Sequence, residues 1–147
     1  MSDPGAEPYV PSDAELRSIL EEARTIAVVG LSSKPSRASN EVAAYLQRTG
    51  YRIVPVNPNE TEVLGEEAYP SLQDIPTDVS IDVVDVFRRA EETPPIARDA
   101  VRIGAKVLWL QLDIVNQDAR RIAEEGGLTV VMGACIKIEK ARLEREG

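Results

Sequence analysis

The chain of 147 residues contains no histidine and a single cysteine, Cys135. The first absence removes Ser-His-Asp and Cys-His catalysis and nearly every catalytic zinc site, because each depends on an imidazole. The second removes an internal disulfide, a structural zinc cluster and C-x-x-C redox chemistry, and suits a cytoplasmic protein. No run of about 18 apolar residues occurs, which leaves no candidate membrane span. Residues 1–11, MSDPGAEPYVP, carry neither the basic nor the apolar segment of a signal peptide and read as a flexible arm. Positive charge is also scarce. With 17 Lys and Arg against 25 Asp and Glu, the net charge is -8, which argues against a nucleic-acid-binding face. Any anionic ligand must then be held by local cations and backbone amides.

What is present is an ordinary globular composition, 43% hydrophobic and 29% charged, over a length that suits one domain at 12–147. Ser12 and Glu15 form a capping box, and Leu16, Ile19, Leu20 and Ala23 follow at helical spacing. Strands are expected at 25–29, 52–56, 79–87, 106–112 and 128–132. Between them lie helical patterns: 39–49 ending at Gly50, one starting at Thr93-Pro94 and ending at Gly104, and one capped by Asn116. A helical turn capped by Ser71 is expected within 70–75, and a terminal helix within 133–147. The strands are continuous apolar runs alternating with helices, the pattern of a parallel sheet covered on both faces. The expected fold is α/β, a Rossmann-like three-layer α/β/α domain with a five-stranded parallel sheet of order 3-2-1-4-5 and an N-terminal helix.

The organising stretch is 25–37, TIAVVGLSSKPSR, a buried strand that stops at Gly30 and opens into a cationic loop before a helix. Five loops are expected at the same sheet edge, 30–37, 57–60, 87–89, 111–116 and 133–135. They gather Lys34, Arg37, Arg88 and Arg89 in an otherwise acidic chain, which points to a phosphorylated ligand. The loop has one glycine where a dinucleotide fingerprint needs three, and Asn57 stands where an acid would hold the ribose of NAD. No G-x-x-x-x-G-K-[ST] occurs either. These absences favour a more heavily phosphorylated nucleotide, such as coenzyme A (CoA) or NADP.

Other residues read more plainly. Trp109, in a strand, is core before it is an adenine platform. Cys135 is a small apolar filler, with a mixed disulfide to a ligand thiol as the sharper alternative. Asp82 and Asp85 fall on opposite faces of their strand and make no acid/base pair; Asp82 is placed near the strand's start, bonded to a neighbouring loop. Glu60, Glu62, Glu66 and Glu67 read as solvated loop acids.

The segments IAVVGLSSKPS (26–36), IVPVNPNE (53–60), VLGEEAYPSL (63–72), DVFRR (85–89), VLWLQL (107–112) and CIKIE (135–139) resemble the small bacterial and archaeal CoA-binding domain proteins. The resemblance runs over about 20–143 and implies a fold related to the CoA-binding domain of the succinyl-CoA synthetase α subunit. By that likeness Ser32, Ser33, Lys34 and Pro35 receive the CoA phosphates; Gly30, Leu31 and Arg37 are the loop's further expected ligand-binding residues. Asn57, Pro58, Val86, Phe87 and Arg88 line the adenosine and pantetheine groove, and Leu110, Gln111 and Leu112 border the pantetheine arm. Arg88 takes the 3′-phosphate or pyrophosphate side. The family often has Asp-Arg before its cysteine, where this chain has Gly133-Ala134, and a histidine where it has Lys140. The synthetase's phosphohistidine chemistry cannot be carried over to a chain without histidine. The expected function is non-catalytic binding of CoA or acyl-CoA by a carrier, sensor or regulatory module, with a protein partner or homo-oligomer possible and no metal. The alternatives are a small enzyme acting on an acyl-CoA or NADP, and an interaction domain without ligand.

Overall fold

A computed structural model describes residues 7–146. The elements run α1 (Asp13–Glu22), β1 (Thr25–Val29), α2 (Ala38–Arg48), β2 (Arg52–Val56), a small hairpin β3 (Glu62–Val63) and β4 (Glu66–Glu67), and β5 (Val83–Val86). They continue through α3 (Thr93–Arg102), β6 (Val107–Leu110), α4 (Gln117–Glu125), β7 (Thr129–Met132) and α5 (Ile136–Glu146). Single 3-10 turns occupy Leu72–Asp74 and Ala90–Glu92. The strands of the main sheet pair in parallel, and β1, β5 and β6 are buried along their whole length. That burial explains why their sequences lack polar alternation.

Two cores flank the sheet. Ala27, Val84, Leu108 and Val130 face α3 and α4, while Ile26, Val28, Trp109 and Val131 face α1, α2 and α5. The result is the expected three-layer Rossmann-like α/β architecture with five helices. Among the described residues, no helix is long and apolar enough to cross a membrane.

The strand order departs from the expected 3-2-1-4-5. It is β2-β1-β5-β6-β7, so the five sheet strands, taken in chain order, lie 2-1-3-4-5. The reason is written in β2. Pro55 has no N–H, and its carbonyl faces outward, accepting from Tyr69 N–H at 3.0 Å. A proline whose bonding side must lack a ladder donor belongs on an edge strand, so no further strand can lie beyond β2. The chain leaves β2 through the hairpin and a 3-10 turn, then crosses to the far side of β1. The topological switch point therefore falls between β1 and β5.

Local signals held with small changes. The Ser12 hydroxyl accepts from Glu15 N–H at 3.2 Å, and Asn116 Oδ1 accepts from Ala119 N–H at 2.9 Å. Thr93 does not cap α3. Its buried hydroxyl donates to Ala90 O at 2.7 Å, since the preceding 3-10 turn brings the chain into the helix already coiled. The third strand is shorter than 79–87, because Asp82 ends its approach by bonding another segment. Within the segment read as a flexible arm, Tyr9 exchanges two 2.9 Å backbone bonds with Met132, while residues 1–6 lie outside the described residues.

Candidate functional site

Gly30 is the joint of the site. Its N–H donates to Val56 O at 2.8 Å, and Phe87 N–H donates to Val29 O at 2.8 Å, so the ends of β1, β2 and β5 meet around it. Its φ is +87°, and a Cβ there would lie 2.6 Å from Phe87 O. Only glycine allows both that backbone and that approach.

Two grooves open from this joint. One, of about 480 Å³, is lined by Gly30, Ser32, Lys34, Arg37, Asn57 and Phe87, together with Ser39, Asn59 and Glu60. The other, of about 440 Å³, includes Gly30, Pro58, Arg88, Glu92 and Ile96. Lys34 and Arg37 are exposed, and among the described residues neither enters an ion pair. No side chain caps the first turn of α2, whose Ala38 and Ser39 also line the first groove. The positive end of that helix dipole adds to the two cations. A cleft at the opposite sheet edge, of about 250 Å³, is lined by Glu15, Glu22, Asp82 and Lys106 and has the wrong balance of charge for a phosphate.

Within the loop the amides are already engaged. Ser32 N–H donates to Ser39 Oγ at 3.0 Å, Ser33 N–H to Glu60 Oε2 at 2.8 Å, and Lys34 N–H to Ser32 Oγ at 3.1 Å. Asn40 Nδ2 donates to Ser32 O at 2.9 Å and Asn57 Nδ2 to Leu31 O at 3.0 Å, which fix the loop from both sides. Arg88 is turned toward the 3-10 turn, where its guanidinium meets Glu92 at 2.5 Å; Arg89 pairs with the same acid at 2.9 Å. The two guanidinium groups hold the Glu92 carboxyl below its ordinary range.

The structure thus brings Gly30, Ser32, Lys34, Arg37, Asn57, Pro58, Phe87 and Arg88 to two adjoining grooves. Ser33 and Pro35 are exposed in the same loop. Leu31, Val86 and Leu110 are fully buried in the cores, and their side chains face no groove. Leu112 is 55% exposed and lines neither groove. Gln111 is buried, and its amide donates to Asp85 Oδ1. Asp85 is wholly enclosed, so burial pushes its carboxyl up to about 7 against the opposing pull of Gln111. Its Oδ2 has no hydrogen-bond partner among the described residues.

Asp82 sits at the other end of the sheet, where Arg24 and Thr25 amides donate to it at 2.8 and 3.0 Å. Burial raises its pKa, yet those two bonds with nearby Lys106 outweigh burial and hold the carboxyl below the ordinary value. Trp109 is fully buried and donates to Ala134 O at 2.8 Å, which makes it core and no adenine platform. Cys135 is half-buried against the α1–α2–α5 core, as a filler would be.

Sequence reasoning missed Ser39, Asn40, Glu60 and Glu92. Glu60, read as a solvated loop acid, is instead bonded to the loop. Ser39 and Asn40 are buried polar residues in the first turn of a helix, a pattern that flags anchoring of a preceding loop. No signal in the sequence distinguishes Glu60 or Glu92 from their solvated neighbours.

Fold and site together define a doubly wound α/β domain with a cationic groove at its switch point. The chain belongs to the CoA-binding domain family, whose family model, described as "CoA binding domain", matches residues 24–141. It is 45% identical over 131 residues to the uncharacterised protein YneT of Bacillus subtilis, covering 89% of this chain and 96% of that one. A solved structure of a hypothetical protein from Pyrococcus horikoshii superposes with a TM-score of 0.87 at 41% identity, covering 94% of this chain and 99% of the other. The chain is also 39% identical over 67 residues to the α subunit of an ADP-forming acetate–CoA ligase II from Pyrococcus furiosus. That match covers 45% of this chain but only 15% of the ligase subunit.

Proposed function

We propose that this protein binds CoA or an acyl-CoA at the β1–β5 switch point and serves as a carrier, sensor or regulatory module. Lys34 and Arg37 pair with the phosphates, Ser32 and Ser33 donate to them, and the uncapped start of α2 adds its dipole. Asn57, Pro58 and Phe87 flank the nucleoside, and Arg88 reaches the 3′-phosphate or pyrophosphate by leaving or sharing Glu92. The observation that carries this reading is the pair of unpaired cations, Lys34 and Arg37, in a groove that shares Gly30 with the groove of Arg88. An extended ligand with phosphates in two places suits such a shape, and family membership favours CoA among such ligands.

Calorimetry with CoA, dephospho-CoA and NADP tests it. CoA is expected to bind best, and Lys34→Ala with Arg37→Ala to weaken it by roughly tenfold per lost charge-assisted contact. No heat with CoA, or an unchanged affinity in the double variant, overturns the reading.

A further inference from the structure

The loop proposed to receive phosphate already holds an anion, and that anion belongs to the protein. Glu60 Oε2 accepts from Ser33 N–H at 2.8 Å. Its position is not a free side chain's accident. Asn57 Nδ2 donates to Leu31 O, Asn57 Oδ1 accepts from Asn59 N–H at 2.9 Å, and Glu60 N–H donates to Asn57 O at 3.2 Å. These bonds tie the turn after β2 to the loop after β1 and carry the carboxylate across to it.

The other two loop amides bond neutral hydroxyls, Ser39 Oγ and Ser32 Oγ. Among the described residues, Glu60 alone brings a carboxylate to a loop amide, in a groove also lined by Lys34 and Arg37. A backbone N–H that donates to a carboxylate at this distance is suited to donate to a phosphate oxygen in its place.

We infer that Glu60 is a stand-in for ligand phosphate and a specificity-determining residue of the site. It occupies the Ser33 donor until a ligand phosphate displaces it. The inference rests on the CoA reading above and adds a selection rule to it. A ligand group must outcompete a carboxylate for the Ser33 donor, so an ionised phosphate oxygen is favoured over a neutral hydroxyl, and the repulsion from Glu60 lowers the affinity of whatever anion takes its place. No bond is made or broken; one hydrogen-bond acceptor replaces another.

The experiment compares Glu60→Gln with Glu62→Gln by calorimetry with CoA, alongside the wild type. Both variants remove one charge, but exposed Glu62 lies in β3 and lines neither groove. Glutamine at 60 keeps an oxygen for Ser33 N–H and loses the repulsion. CoA is expected to bind Glu60→Gln about tenfold tighter, and Glu62→Gln within about twofold of wild type. Binding to Glu60→Gln alone, with none to wild type, also supports the inference. An unchanged or weaker affinity in Glu60→Gln, or an equal gain in Glu62→Gln, overturns it while leaving the CoA reading intact. Absence of CoA binding in both wild type and Glu60→Gln overturns both.

Discussion

Asp85 is the residue whose chemistry most exceeds its surroundings. It lies in the middle of the central sheet, paired in register with Val28 on one side and Trp109 on the other. Gln111 supplies one hydrogen bond, and the remaining oxygen has none among the described residues. A buried carboxyl with one bond favours its neutral form, which is why its pKa rises to about 7 from an ordinary 3.8. Between those values the folded chain holds a proton that the unfolded chain has released. Stability from this group therefore falls as pH rises through that window, and the deficit is complete above about 7. Asp85→Asn stays neutral throughout and keeps an oxygen for Gln111. Its stability relative to wild type is expected to climb between about pH 4 and 7 and then level off, by up to about 4 kcal/mol. Urea unfolding of both proteins at several pH values measures this; two parallel stability curves would refute it.

At the scale of elements, what was legible depended on whether the cause was local. Five helices and five sheet strands follow from apolar periodicity, a serine and an asparagine cap, and glycines at helix ends. The strand order was also encoded, in Pro55, but reading it required knowing which way the Pro55 carbonyl faced. The candidate site divided in the same way. Gly30, Lys34, Arg37 and Arg88 could be placed because a strand end followed by a cationic loop is a local pattern. Glu60 and Glu92 could not, because Glu60's partner Ser33 lies 27 residues away and Glu92 sits on a turn whose coiling no propensity foretells. Leu31, in the loop after β1, and Leu110, at the end of β6, both turn their side chains into the cores, so only their backbone lies at the ligand edge. The cap at α4 offers a test at this scale. Asn116 bonds Ala119 N–H through its oxygen and Ala90 O through its amide, tying α4 to the turn that carries Glu92. Asn116→Ala is expected to cost about 1–2 kcal/mol of stability, and Asn116→Asp to recover the capping share of it. Chemical denaturation of the three proteins checks this, and equal losses in both variants would show that the oxygen contributes nothing.

For the molecule as a whole, the open question of any five-stranded sheet is how its edges are kept from pairing with other chains. Here a tyrosine segment closes each edge. Tyr69 makes a parallel bridge with Val56 on β2, and Tyr9 an antiparallel bridge with Met132 on β7. The β7 closure is reinforced, since the Arg120 guanidinium lies 3.7 Å from the centre of the Tyr9 ring. Gly133 fits beneath it as well, where an added Cβ would fall 2.9 Å from Pro8 Cβ. Pro8 and Tyr9 thus act as a strap on β7, an edge strand separated from β1 by β5 and β6. Among the described residues, deleting residues 1–10 removes two backbone hydrogen bonds and one cation–π contact, together worth about 2–3 kcal/mol. At about 2–4 °C per kcal/mol for a domain of this size, Tm is expected to fall by about 5–10 °C. The freed Met132 N–H and carbonyl leave β7 able to pair with another copy, so sedimentation should show more self-association than in the full chain. A truncated protein with unchanged Tm and sedimentation would show that the Tyr9 bridge is incidental to the fold.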